Sequence, residues 1–235
     1  NLDVFHPVSV RPYTDDGSVN LAHLLVGSEG TLAHFRRLHL RLATLPAHRL
    51  MAVLRFPALA VAVGAVPAIA ALGPSAVELL DASMLEPLHS SRPLRPLIDT
   101  VLSGRPAALL IVEFSGDERG QLLRSLRALE ELAAGQDRAG AFLAVTDPGQ
   151  QRRLWVLHRA AIEGALVRTG ARSPVSFIDD CAVPLAQLAE YVEAMQEVMR
   201  RHRVRGAWYG RASAGALNLR PLLDLGAGEA LRMRP

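Results

Sequence analysis

Lysine is absent from this 235-residue chain; all 26 basic side chains are arginine. The net charge is only +3, so the sequence pI of about 9.7 reflects the high pKa of arginine more than an excess of positive charge. No basic stripe interleaved with aromatics is present, which argues against a nucleic-acid surface. A single cysteine, Cys181, excludes an internal disulfide and any cysteine-based zinc or iron–sulfur site. A reducing compartment, and with it a cytoplasmic location, is the expectation. Aromatics are scarce at 5%, so the 50% hydrophobic content is mostly aliphatic. The longest stretch without charge, Phe56 to Val77, is rich in alanine and broken by Pro57, Pro67 and Pro74. A spanning helix needs about 20 strongly apolar residues, and an interior proline would kink or end it. The window therefore reads as a buried helix, and no membrane span is expected.

What is present begins with a turn. Gly27-Ser28-Glu29-Gly30-Thr31 follows a short apolar run. Glycine lacks Cβ and tolerates positive φ, so the backbone here can approach a ligand closely. Ser28, Glu29, Thr31 and the bared N–H groups could serve a phosphate, ribose or ribityl chain. On spacing alone, such a turn is more often an ordinary loop.

Period and punctuation give the elements. Residues 1–20 are loop-like. His34 to Leu42 alternates apolar with polar and predicts a strand with one wet face. His48 to Phe56 predicts a second strand, Pro57 to Leu72 a helix closed by Gly73-Pro74, and Ser75 to Leu80 a short strand. Residues 81–104 read as helical pieces broken by prolines. Ala107 to Phe114 is a continuous apolar run, hence a central strand. A helix from Gly116-Asp117 to Ala134 follows, then a strand from Ala141 to Val145. Asp147-Pro148 caps a helix to about Val167. Val175 to Val183 predicts a strand, Pro184 to His202 a helix, and Gly206 to Ser213 with Ala216 to Leu219 a hairpin around Ala214-Gly215. This order suits an α+β fold, an antiparallel sheet covered by helices on one face. Two split βαβ units back to back would fit it.

Gly27-Ser28-Glu29-Gly30-Thr31-Leu32 resembles the Gly-Ser-Glu-Gly-Thr-Leu element of FAD-linked oxidases of the vanillyl-alcohol oxidase superfamily. Further segments resemble one branch of it, the large bacterial D-2-hydroxyglutarate dehydrogenase-like proteins. They are Asp3 to Pro7, Arg11 to Thr14, Gly17 to Leu25, Pro174 to Pro184, and Trp208 to Pro221. The matches run along essentially the whole chain in the right order. The resemblance implies that residues 1–33 are the tail of a FAD-binding domain and residues 34–235 a substrate domain of duplicated ferredoxin-like units, truncated at its C-terminus. It implies FAD in a complete parent, contacted by Gly27, Ser28, Glu29, Gly30 and Thr31 but not retained by the fragment alone. The implied partners are the missing FAD-binding domain or a flavoprotein subunit, and a small 2-hydroxy acid that gives a hydride from Cα to the flavin.

The resemblance also exposes departures. The last signature in relatives reads Gly-His-Ala-Ser-x-Gly-x-Leu-His, whose histidines lie at a metal. Here those positions are Arg211 and Asn218. Guanidinium cannot ligate a cation, and a lone amide is a poor ligand, so no family-type metal site is expected. Relatives read Leu-Trp-x-x-Arg on the helix after Asp147, with that arginine on the substrate carboxylate. Here His158 stands there, followed by Arg159, about 100° further round the helix. Before Pro174, Ser173 replaces a usual lysine. Two readings follow. Arg211 could bind the carboxylate bidentately in place of a metal, with His158 as base and Arg159 and Asn218 near the substrate. Alternatively Arg211 is a solvated or salt-bridged hairpin residue, His158 a helix-surface imidazole, and the chain a non-catalytic subunit docking on a flavoprotein. Asp179-Asp180, Cys181, Trp155, Trp208 and the arginines near 200 have structural readings, Cys181 as a small buried hydrophobe.

Overall fold

A computed structural model describes residues 21–40, 42–103, 105–135, 142–164 and 173–223. The chain divides into two units, residues 1–45 and 46–235. In the first, α1 (Ala22–Leu25) is a single turn, and the glycine turn follows it. Gly27, Glu29 and Gly30 have positive φ, at 80°, 48° and 81°. The strand expected from His34 to Leu42 is not formed among the described residues there. Phe35, Leu38, Leu40 and Leu42 are all exposed, so the alternation has no core to face and no ladder to join. The signatures within residues 1–20 lie outside the described residues.

The second unit is built on β1 (His48–Phe56), β2 (Ala76–Asp81), β3 (Ala108–Gly116), β4 (Phe142–Val145), β5 (Ser173–Pro174), β6 (Ile178–Ala182), β7 (Arg205–Arg211) and β8 (Ala216–Leu223). Among the described residues these form one sheet in the order β4-β1-β3-β2-β7-β8-β5, with β6 also on β8. Every pairing is antiparallel; β1 and β3 match from His48↔Gly116 to Phe56↔Ala108. The helices are α2 (Leu59–Ala70), α3 (Arg95–Val101), α4 (Arg119–Ala134), α5 (Pro148–Gly164) and α6 (Leu188–Arg201), with a 3₁₀ segment at Ala82–Ser90. The α+β class is as expected. The order β4-β1-β3-β2 is that of a split βαβ unit. It does not by itself establish the expected duplication, because the second half pairs no matching fourth strand among the described residues.

The sheet is covered on both faces, not on one. Strand residues of alternate parity point opposite ways. Leu50, Ala52, Leu79, Leu110, Val112 and Phe114 meet α2, α4 and α6. Met51, Val53, Leu80, Leu109, Ile111 and Tyr209 meet the 3₁₀ segment, α3 and α5. This is why the run through β3 is apolar without alternation. The uncharged window forms α2, which buries Leu59, Val63, Val66 and Ile69 and carries Pro67 into its last turn. Among the described residues no helix is long and apolar enough to cross a membrane.

Local signals placed two elements that matter below. Asp147 Oδ1 accepts from Gln150 N–H at 2.8 Å, an N-cap with Pro148 at the first helical position of α5. The β7–β8 hairpin turns at Gly215, φ 70°, whose missing Cβ would sit on the Val183 carbonyl oxygen. Gly215→Ala adds both a left-handed penalty and a backbone collision. It is expected to cost about 2–4 kcal/mol, read from urea unfolding of this chain.

Candidate functional site

Burying a polar side chain costs free energy unless it is hydrogen-bonded or paired. The buried polar and charged residues described are Glu78, Glu113, Gln151, Asn218 and Arg220. All lie on the α5 side of the sheet or on α5 itself. Strand parity places them: Glu78 shares a face with Leu80, Glu113 with Ile111, and Asn218 and Arg220 with Tyr209 across the hairpin.

Helix α5 supplies the lid of this polar stripe. Gln151, Trp155 and His158 recur at helical spacing and turn toward the sheet. Gln151 Nε2 donates to the carbonyls of Arg49 and Val145, at 2.9 and 3.1 Å, and so fixes the helix start. Trp155 Nε1 donates to Glu113 at 3.0 Å, and Arg49 Nε stands 3.1 Å from the other oxygen of that carboxylate. The Trp155 and His158 rings meet edge to face, centroids 5.3 Å apart. Arg159 points away and is exposed.

The centre of the stripe is Glu78. Its side chain is 8% exposed and is opposed by two groups. Arg211, directly across the β2–β7 ladder, donates Nε–H to Oε1 at 2.9 Å. His158 Nε2 lies 3.8 Å from Oε2. That nitrogen is buried with no hydrogen-bond partner among the described residues. Burial, the largest influence, pushes the His158 pKa below its ordinary 6.5; Glu78 pulls it up and Arg211 pushes it down. The imidazole is therefore neutral near pH 7. It is not the helix-surface group that one reading allowed. Arg211 is salt-bridged, yet its side chain is 61% exposed, so its far edge is open.

The structure thus brings His158 and Arg211 together through Glu78. It puts Asn218 on the same face, buried, opposite Tyr209. It does not bring Arg159 to them. Beside this trio, Arg220 donates Nε and Nη2 to the Tyr209 hydroxyl, at 3.0 and 2.7 Å, and Nη1 to Asp179 at 3.2 Å; Asp179 also accepts from the Ser176 hydroxyl. Asp179 is thus engaged by Arg220 and Ser176. Cys181 is half-buried rather than buried. Its contact with the Tyr191 hydroxyl adds to partial burial in pushing that phenol up to about 12. Glu78, Glu113, Tyr209 and Arg220 were missed by the sequence reading. The signal available was a single glutamate inside each of two apolar strand runs, Val77-Glu78-Leu79 and Val112-Glu113-Phe114.

The turn at Gly27 to Thr31 belongs to the first unit. Thr31 donates both N–H and Oγ1–H to the Ser28 carbonyl, at 2.8 and 2.6 Å. Ser28 Oγ is buried without a partner among the described residues. No group of three or more His, Cys, Asp or Glu that could hold a metal is found among the described residues.

Residues 45–234 match the family described as FAD linked oxidases, C-terminal domain. The chain is 25% identical over 227 residues to a D-2-hydroxyglutarate dehydrogenase of Haemophilus influenzae, covering 93% of this chain and 22% of that protein. It is 29% identical over 226 residues to a D-lactate dehydrogenase of Archaeoglobus fulgidus, covering 92% of this chain and 45% of that protein. Among solved structures, an alkyldihydroxyacetonephosphate synthase superposes with a TM-score of 0.57 at 16% identity, over 92% of this chain and 44% of that one, a likeness of fold. The chain spans 22% of the length of each of the first two hydroxyglutarate dehydrogenases it matches.

Proposed function

This chain belongs to the family of FAD linked oxidases, C-terminal domain, and on that premise we propose that it is the substrate domain of a FAD-dependent dehydrogenase of small 2-hydroxy acids. Residues 1–33 then close a flavin-binding domain, and 34–235 form the substrate domain. The observation that carries the reading is the Arg211–Glu78–His158 trio, a cation with an open edge backed by a buried carboxylate and a neutral imidazole. Relatives named for D-2-hydroxyglutarate and D-lactate share the fold's sequence along nearly all of this chain.

The turn of the first unit suits the cofactor. Among the described residues, the buried Ser28 Oγ has no partner, and nothing stands within 4 Å of where a Cβ would lie at Gly27 or Gly30. Ser28 Oγ, with Gly27, Glu29 and Gly30 around it, would hold FAD; the N–H groups of Ser28 and Thr31 are already committed within the turn, and Thr31 shapes it by bonding Ser28. When bound, FAD supplies a two-electron acceptor for the substrate's Cα hydride. The site does not suit the divalent cation of the resembled enzymes. Arg211 cannot ligate it and already neutralises Glu78, so no step is assigned to a metal.

The chain's own residues do the rest. Arg211 anchors the substrate carboxylate on its open edge, a bidentate geometry that lysine lacks. Asn218 lines the same face and offers an amide. The hydroxyl proton ends on His158 Nε2, on the side where Glu78 stands. His158 is neutral near pH 7 and free to take it. The Nε2 atom is buried, so the proton it takes is held next to the Glu78 carboxylate.

The test uses a flavoprotein that joins this chain to a flavin-binding domain, reduced anaerobically with D-lactate and D-2-hydroxyglutarate. Bleaching of the flavin absorbance with either is the expected result. Full retention of the oxidised spectrum with a panel of 2-hydroxy acids would reject the dehydrogenase reading.

A further inference from the structure

The two oxygens of Glu78 face different nitrogens. Oε1 meets Arg211 Nε at 2.9 Å, and Oε2 faces His158 Nε2 at 3.8 Å. Exposure falls inward, from 61% at the Arg211 side chain to 12% at His158 and 8% at Glu78. A buried carboxylate needs an opposing cation. Arg211 is that cation here; burial first, and Arg211 in addition, keep His158 neutral, and its Nε2 has no hydrogen-bond partner among the described residues. The imidazole is one proton away from replacing Arg211 as the counter-charge.

We propose, resting on the reading of Arg211 as carboxylate anchor, that Glu78 couples the two groups, so that an anion docking on the open edge of Arg211 drives His158 Nε2 to take up a proton. The ligand's negative charge offsets the guanidinium, Glu78 loses part of its compensation, and a proton on Nε2 restores it. The base is therefore strengthened by the substrate it serves. In the oxidation, the substrate O–H bond breaks and the N–H bond forms at Nε2; with a carboxylate that is not oxidised, water supplies the proton. Glu78 is a positioning residue, since it acts only through its neighbours.

The other charged groups on elements around α5 are already matched or lie outside. Glu113 on β3 is held by Arg49 of β1 and by Trp155. His89 and Arg95 stand by Asp99 at the exposed end of the 3₁₀ segment and α3. Arg153 and Arg159 on α5 are exposed. Among the described residues, Glu78 and Arg211 are the charges that act on the imidazole.

The experiment is a pH titration of the His158 ring in this chain by long-range ¹H–¹⁵N NMR, assigned by loss of the signal in His158→Gln. Arg211→Gln is expected to raise the proton affinity of the imidazole about tenfold, one pKa unit. Arg211→Lys keeps the charge and leaves it close to wild type. Glu78→Gln lowers it, and in the double variant the rise is smaller, because only the direct effect of the guanidinium on the ring remains. On the wild-type chain, saturating D-lactate alone is expected to raise the affinity in the same direction, a measurement that needs no variant to fold. An unchanged His158 in Arg211→Gln, the same rise in the double variant, or no response to D-lactate would each overturn the coupling. None of these readings needs flavin. A shift in the ring without flavin bleaching keeps the coupling and rejects the dehydrogenase reading; bleaching without a shift does the reverse.

Discussion

Replacing Arg211 by glutamine, in a flavoprotein carrying this chain, is expected to raise the KM for a 2-hydroxy acid roughly ten- to hundred-fold. A hydrogen bond to a charged group contributes about 1.5–3 kcal/mol, and each 1.36 kcal/mol is a factor of ten. The loss is one of binding, so KM carries most of it. A second effect separates an anchor from a merely structural residue. Without the guanidinium, His158 holds its proton to higher pH, so the acidic limb of the kcat profile moves toward neutrality. Arg211→Lys should lose much of the affinity, because the planar fork is gone, while leaving that limb in place. Steady-state kinetics across pH on the three proteins reads both. An unchanged KM in Arg211→Gln would remove Arg211 from substrate recognition. Arg211→Gln leaves the buried Glu78 carboxylate facing His158 alone, so urea unfolding of the variant accompanies the kinetics, with Arg211→Lys as the charge-keeping reference.

Arg220→Met is the substitution expected to cost the most stability among the charged positions. The guanidinium is 11% exposed and stacks 5.6 Å from the Tyr209 ring centroid. Three of its nitrogens are committed, two to the Tyr209 hydroxyl and one to Asp179. Methionine fills part of the volume but leaves that hydroxyl and carboxylate without their donors. Removing one member of a buried pair costs about 3–5 kcal/mol. Asp179 is 32% exposed and recovers some hydration, which lowers the figure to about 2–3 kcal/mol. Urea unfolding of this chain measures it. Arg159→Met, at an exposed position of α5, is the control and should stay within about 0.5 kcal/mol. Equal effects at the two positions would show that the Tyr209–Arg220–Asp179 cluster contributes nothing.

Much of the fold was legible in local pattern. β1 was bounded correctly because Pro46 and Pro57 punctuate an apolar run. α5 was begun correctly because Asp147-Pro148 is a cap that needs no tertiary partner. The hairpin was legible because Ala214-Gly215 stands between two strand runs, and Gly215 takes the left-handed conformation such a turn needs. Local pattern failed at His34 to Leu42, where the alternation has no neighbouring edge to pair with among the described residues. It also failed on the second helical layer. The unbroken apolar run of β3 already required cover on both faces, but not which helices would provide it.

The candidate site divides in the same way. Family motifs pointed to His158, Arg211 and Asn218, and to the absence of histidine at 211 and 218, because those are facts about residue type at a position. Glu78 could not be found so. It lies 133 residues from Arg211 in the chain and is matched to it only by the β2–β7 register. The depth of His158 follows from α5 packing on that face, not from its neighbours in sequence. Residue chemistry and local punctuation are written along the chain. Which carboxylate neutralises which cation, and how far from water, is decided by strands that meet only after folding.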